Sequence, residues 1–404
     1  MEENCILPDD LLQHILSRLP VRDLLRGRCV SKDWCALIDS PSFIRKHYQV
    51  QTSICKADGN MPHFVNQVGQ KLGRVVSFHL LSIHQGDVST LDLDEDIARD
   101  SNDMLSCGHD YDEQYFASCN GCVNGVILLT LKDNDRDRKR DCFGLWNPAT
   151  REFKSLAYPN VRNCFEVVGF GFDVLSSDFK ILGAYEIFNP EPVTYYEVYS
   201  LRTSAWKPLG APPIGRITLP VTDAYLNGVF YWSTVPEYGS GRLVSFNFSS
   251  EIFKESDIPE DAKSRVRYDF EIMIALYKES IALFMSHEVQ GKAAICKNVD
   301  VWVVTGFDDC GIPLSWQHLF TVGPTPANFR LDVLTTRVDG DLLLVYVYEG
   351  TDNSHNTHHV ELDREEYLYN PSTAEFKYFG IGNWATYYRY AESLFPLSRR
   401  LIQS

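Results

Sequence analysis

Apolar residues change their period once along this chain. Between residues 6 and 48 they recur at helical spacing: Leu11, Leu12, Ile15, Leu16 and Leu19 form one stripe, and Pro20 ends it. Pro8 suits the first position of that helix, and Asp9 and Asp10 complement its positive end. Asp23, Leu24 and Leu25 fit a very short second helix. Ser31 can cap a third that carries Trp34, Leu37 and Ile38, and Ser40-Pro41 opens a fourth piece with Phe43 and Ile44. Residues 49–70 are polar, hold no clear period and read as a linker. From about residue 71 the pattern turns to short strands, interrupted at 86–115 by an acidic stretch to which no regular structure is assigned.

The strand region repeats itself. "LWNPATREFKSL" begins at Leu145, "VYSLRTSAWKPL" at Val198, "SFNFSSEIFKES" at Ser245 and "YLYNPSTAEFKYF" at Tyr367, with a degraded copy at Val301. Each is a strand, a tight polar turn and a strand carrying an aromatic: Phe153, Trp206, Phe253, Phe376 and, in the degraded copy, Trp316. The copies start 53, 47, 56 and 66 residues apart, which suits one propeller blade of four antiparallel strands. A hairpin precedes four of the copies, at 169–185, 224–232, 274–285 and 335–348. Five units are discernible. The strand at 74–83 and the C-terminal stretch 388–397 are expected to close a sixth by pairing with each other.

The fold class is therefore a small all-α N-terminal segment of three to four short helices (residues 5–48), followed by an all-β, propeller-like repeat domain over 71–404. The helical segment is near the lower size limit for a self-sufficient core. It also holds more leucine than three short helices need. Its stripe either docks on the remainder of the chain or meets another protein.

Composition narrows the function. The net charge of -16, from 54 acidic and 38 basic residues, argues against binding nucleic acid or acidic membrane, since both demand a positive face. The start "MEENCILPDD" lacks a basic n-region and an apolar h-region, and no run of 18 apolar residues is present, so neither secretion nor a membrane helix is expected. The 11 scattered cysteines then read as reduced thiols of the cytoplasm or nucleus. "CNGC" at 119–122 could bind zinc by ligand type with Cys107 and His109, but no second Cys-x-x-Cys accompanies it. "HNTHH" at 355–359 lies in a polar loop, and "DRDRKRD" balances its bases with acids. No P-loop, Rossmann glycine pattern or Gly-x-Ser-x-Gly occurs. No cofactor, metal or catalytic residue is assigned.

Two sets of motifs carry a resemblance. "LPDDLLQHILSRLPVRDLLRGRCVSKDWCALIDSPSFIRKH" (7–47) resembles a plant F-box in its Leu-Pro start, leucine-rich helix, "LPVxxLLRxRCVSKxW" and "FIxxH". It departs at Gly27, where a bulky apolar residue is usual, and at Ser40, where aspartate is usual. "SCNG" (118–121), "LWNPATREFKSL", "GFGFDxxSSDFKIL", "VYSLRTSAWK", "LNGVFYW" and "YAESL" stand in the order of the plant F-box-associated domain of the kelch-related type. The resemblance covers nearly the whole chain.

What it implies is the substrate-recognition subunit of an SCF-type cullin–RING ubiquitin ligase. The F-box would bind a Skp-type adaptor, and through it cullin and a RING protein. The residues carried over as adaptor contacts are Leu7, Pro8, Leu11, Ile15, Leu19, Pro20, Leu24, Val30 and Trp34. The C-terminal domain would choose a protein substrate and perform no chemistry. Its long connections, among them 187–196, 210–220, 233–241 and 286–298, are expected to carry that contact, with Tyr195, Tyr196, Arg216, Tyr238 and Arg242 as candidate anchors. Two other readings stay open: an enzyme with its site in a propeller channel, and a scaffold that binds the adaptor without directing degradation.

Overall fold

The computed structural model describes residues 8–58, 62–68, 76–84, 87–93, 116–132, 142–159, 165–188, 192–212, 223–234, 241–263, 272–290, 295–326, 329–336, 342–348, 363–378 and 385–398. The helices are α1 (Asp9–Leu16), α2 (Val21–Gly27), α3 (Lys32–Asp39) and α4 (Pro41–Ala57). Pro8 and Pro20 stand immediately before α1 and α2. Ser31 Oγ accepts from Trp34 N at 3.1 Å and Ser40 Oγ from Phe43 N at 3.2 Å, so serine fills the capping role that aspartate would at position 40.

Helix α4 corrects the linker reading of 49–70. It runs on to Ala57 because no glycine or proline interrupts residues 42–58, and Gln51 returns its amide to the carbonyls of Ser17 and Leu19, both at 3.2 Å. Strand β1 (His63–Val68) then occupies six residues of the remaining linker.

Six four-stranded antiparallel sheets follow among the described residues. Sheet 1 joins β1, β2 (Val76–His84) and β3 (Asp87–Asp92) to β24 (Ala385–Arg389), in the order β24-β1-β2-β3. Sheet 2 holds β4 (Phe116–Val123), β5 (Val126–Lys132), β6 (Cys142–Asn147) and β7 (Glu152–Leu156). Sheet 3 holds β8 (Phe165–Asp173), β9 (Asp178–Phe188), β10 (Pro192–Ser200) and β11 (Ala205–Gly210). Sheet 4 holds β12 (Asp223–Leu226), β13 (Val229–Thr234), β14 (Arg242–Asn247) and β15 (Ile252–Asp257), followed by the single turn α5 (Glu260–Lys263). Sheet 5 holds β16 (Ile272–Tyr277), β17 (Ser280–Gln290), β18 (Ile295–Phe307) and β19 (Pro313–Pro326). Sheet 6 holds β20 (Phe329–Thr336), β21 (Leu342–Tyr348), β22 (Asp363–Asn370) and β23 (Glu375–Tyr378).

The repeats thus map onto the third and fourth strands of sheets 2 to 6. The closing strand differs from expectation: the C-terminal β24 lies beside β1, and β2 is one strand further in. The acidic stretch at 86–115 is not wholly irregular either. Its Asp87–Asp92 segment pairs with β2, Val88 opposite Ile83 and Thr90 opposite Leu81, so β-branched residues in register outweigh the acidic composition.

The turns explain why the repeat survives with little identity. Asn147, Asn247 and Asn370 end the third strands of sheets 2, 4 and 6. Each Oδ1 accepts the backbone N–H groups two and three residues on, at 2.8–3.4 Å. The residue before the fourth strand then takes positive φ: Arg151, Ser204, Glu251 and Ala374, at 54–58°. Across that turn the aromatic of the fourth strand faces one on the third, as in Trp146–Phe153, Tyr199–Trp206, Phe246–Phe253 and Tyr369–Phe376. Glycine matters where sheets approach closely: a Cβ on Gly171 would stand 2.0 Å from the Phe248 ring of the next sheet.

The chain forms two compact units, residues 1–158 with 388–404 and residues 159–387. In the first, Phe78, Ile127, Leu129, Trp146 and Tyr390 form a core between sheets 1 and 2. In the second, separate apolar layers fill the spaces between sheets 3 and 4, 4 and 5, and 5 and 6.

Candidate functional site

The leucine stripe at the N-terminus is divided by the fold. On α1, Leu16 is buried, whereas Leu11 and Ile15 remain 44% and 43% exposed. They are one helical turn apart and lie on one face. Pro8 and Pro20 are also exposed, and Val30, in the turn after α2, is 64% exposed. Leu19 and Trp34 are half-buried. Leu24 is 0% exposed and belongs to the interior of the helical segment, so in the free chain it is a core residue and not a contact; this corrects its place in the adaptor set. Leu7 lies outside the described residues.

The inner face of the helices is fixed by groups that their periodicity does not announce. His47 is fully buried and donates Nε2–H to the Leu19 carbonyl at 2.8 Å. Burial holds its pKa below the ordinary value, against the pull of that carbonyl. Glu392 Oε2 accepts from Val21 N at 3.3 Å, and Phe395 meets Tyr48 edge-on at 6.1 Å. The C-terminal segment carrying these residues is held from beneath by buried Asn147, which donates to the carbonyls of Ser393 at 3.1 Å and Phe395 at 3.0 Å. Glu152 accepts from Leu397 N at 2.7 Å. The helices therefore rest on the C-terminal segment. The role of Glu392 was missed by sequence reasoning, although the available signal was a carboxylate standing inside the apolar run "YAESLF".

Among the described residues, the candidates in the second unit, Tyr195, Tyr196 and Arg242, do not form one patch. Tyr196 is a core residue, 1% exposed, in an edge-to-face contact with Phe253 at 4.9 Å; it faces inward because β10 extends through a stretch read as a loop. Tyr195, on the opposite face, is half-buried and stacks on Tyr185 at 5.7 Å. Arg242 begins β14, with Glu255 at 3.6 Å and Asp257 at 3.9 Å. Arg216 and Tyr238 lie outside the described residues. The 286–298 connection is likewise mostly strand, since β17 runs to Gln290 and β18 starts at Ile295.

Titratable groups do cluster where sheets 3 and 4 meet. Lys180 Nζ lies 3.0 Å from Asp173, 2.9 Å from Glu251 and 2.8 Å from the Phe248 carbonyl. Burial works against the Asp173 carboxylate, but hydrogen bonds from Ser176, Ser249 and Lys180 prevail and hold its pKa far below the carboxylate range. Lys180 is likewise held charged, against desolvation, by Glu251 and Asp173. Such a saturated trio braces two sheets and offers no acid or base poised near neutrality. The Cys-x-x-Cys pair sits on β4, where burial pushes the Cys122 thiol up to about 12. Cys107 and His109 lie outside the described residues.

Comparison with known proteins agrees with both halves. An F-box-like family model matches residues 5–50, and the F-box associated beta propeller domain matches residues 76–397. A putative F-box/kelch-repeat protein of Arabidopsis thaliana is 27% identical over 85% of this chain and 91% of its own length. A second F-box/kelch-repeat protein of that plant is 25% identical over 78% of this chain and 79% of its own. Among solved structures, the beta-propeller domain of the Trilobed protease from Pyrococcus furiosus aligns with TM-score 0.36 and 12% identity, over 66% of this chain and 71% of that one. With the helices first and the repeated sheets after them, the chain belongs to the F-box proteins that carry an F-box associated beta propeller domain.

Proposed function

We propose that this chain is the substrate-recognition subunit of an SCF-type cullin–RING ubiquitin ligase, working in the cytoplasm or nucleus. The F-box binds a Skp-type adaptor, which brings cullin and a RING protein. The propeller domain holds a protein substrate, and no step of the chemistry falls to this chain. Holding the substrate beside a ubiquitin-charged enzyme replaces a bimolecular encounter by a local one at high effective concentration.

The observation that carries this reading is the apolar pair Leu11 and Ile15, exposed side by side on a helix whose inner face is already buried. Exposed leucine alone is ordinary. Two on one face, flanked by exposed Pro8 and Pro20 in an F-box segment, suit a partner helix or groove. The test is co-purification with a Skp-type adaptor, wild type beside Leu11→Asp/Ile15→Asp. The wild type is expected to retain the adaptor and the variant to lose it while its thermal melt is unchanged. Retention by the variant, or no adaptor on the wild type, would refute the assignment.

A further inference from the structure

The exposed stripe of α1 does not end at Ile15. Arg18 continues it, three residues after Ile15 and seven after Leu11, and its N–H still bonds the Ile15 carbonyl at 3.1 Å. Arg18 is exposed, and so are Pro20 and Arg22 in the turn and helix start that follow. The two arginines thus stand two residues either side of an exposed proline. Arg26, one turn further along α2, differs from them because it lies 3.6 Å from Asp23. Among the described residues, no carboxylate pairs with Arg18 or Arg22.

Helix stability accounts for one of these cations and not for the other. Arg18 closes α1 and complements the negative end of its dipole, as Asp9 and Asp10 complement the positive end. Arg22 lies in the first turn of α2, where the dipole disfavours a cation. The acid of that turn, Asp23, stands beside Arg26 instead. Residues 8–58 hold eight lysines and arginines against six acidic residues, in a chain that holds 38 against 54. Exposed cations without an acid, in a chain with acids in excess, call for a complementary charge on the partner.

The exposed side of α1 and the junction after it is polarised. Asp9 and Asp10 stand at its start, Leu11 and Ile15 follow, and Arg18 and Arg22 stand at its end. We propose that the Skp-type adaptor lies across Leu11 and Ile15 in one direction only, with carboxylates of its own set against Arg18 and Arg22. A guanidinium takes a carboxylate in two parallel N–H···O bonds, so these contacts fix direction as well as attraction. The reversed arrangement brings the same carboxylates against Asp9 and Asp10, a like-charge juxtaposition that disfavours it. The inference rests on the ligase reading above and adds to it the chemistry of the partner's surface.

The test is surface plasmon resonance of the adaptor on the full chain, at about 50 and about 500 mM salt. Arg18→Glu/Arg22→Glu should weaken the adaptor by about tenfold at the lower salt, chiefly through slower association, and the gap from wild type should narrow at the higher salt. Arg18→Lys/Arg22→Lys keeps the charge and should lose no more than about threefold. The control Arg151→Glu/Lys254→Glu makes the same change of net charge outside the F-box and should stay within about twofold of wild type. All four positions are exposed, so the thermal melts should coincide. A glutamate pair that binds like wild type overturns the proposal. So does a control pair weakened equally, or a lysine pair as weak as the glutamate pair. Failure of the wild type to take up the adaptor at all shows separately, since it removes the ligase reading and this inference with it.

Discussion

Leu11 and Leu24 belong to one leucine-rich pattern, yet one faces solvent at 44% exposure and the other is 0% exposed. The outer face of α1 can serve a partner because the inner face of the helices already has one, in α4 and the C-terminal segment. A residue that folds the F-box and a residue that presents it should separate on mutation. Leu24→Ala removes a fully buried side chain and should cost about 2–5 kcal/mol, read from a denaturant titration. Leu11→Ala should change stability by no more than about 1 kcal/mol while weakening the adaptor. If the two variants fall equally in stability, the division between the faces is wrong.

The next-largest effect should come from beneath the helices. Asn147 is buried and ties the NPAT turn to the segment under the F-box, with its amide and its carbonyl both engaged. Asn147→Ala leaves buried carbonyls of Ser393 and Phe395 without that donor and should cost roughly 2–3 kcal/mol. Truncation after residue 389 should be at least as damaging to the F-box as to the sheets. An F-box that melts unchanged in both variants would contradict its dependence on the segment.

Legibility in the sequence followed the length scale of each cause. The helices and the strand–turn–strand repeats are set by spacing, caps and turn chemistry within a few residues, so Ser31, Ser40 and the "NPAT" and "NPST" turns could be read directly. Failures arose where long-range pairing decides. β1 and the second half of α4 looked like linker because the first is set by pairing with β2 and the second is tied by Gln51 to the Leu19 carbonyl, partners far along the chain. Tyr196 looked like a loop anchor because its burial depends on Phe253 in another sheet. Trp316 marked a repeat, but its hydrogen bond to the Asp257 carbonyl exists only after two sheets pack. Which of the nine carried-over positions face outward was likewise decided by packing.

A smaller effect distinguishes the faces by pH. His47 lies on the inner face, is neutral when folded, and has its pKa lowered by burial from the ordinary 6.5. Above that unfolded value both states are neutral and its contribution is intact. As pH falls below it, the unfolded chain binds a proton that the folded chain resists, so stability drops with a slope of at most ~1.4 kcal/mol per pH unit. The urea midpoint should decline between about pH 7.5 and 5.5, and His47→Gln should flatten that decline. Adaptor affinity of the folded chain over the same range should not follow it, because His47 does not reach the outer face. A profile unaffected by His47→Gln would assign the pH dependence to other groups.

The smallest effect is also the one that tests the seam between the faces. Gly27 ends α2, at the position where the F-box resemblance led to the expectation of a bulky apolar residue. A Cβ added there would stand 3.4 Å from Ile38 Cδ1 and 3.5 Å from Trp34 Cε3, ordinary contact distances. Gly27→Ala should therefore fit without displacement and raise stability by about 0.5–1 kcal/mol, through lower backbone entropy in the unfolded chain. Gly27→Phe has no such room, and its ring must move Trp34, which is half-buried. Alanine should leave adaptor binding and Trp34 fluorescence unchanged, whereas phenylalanine should alter both. If alanine already weakens the adaptor, the glycine serves the outer face after all, by letting Trp34 settle deeply enough for a partner to lie across it.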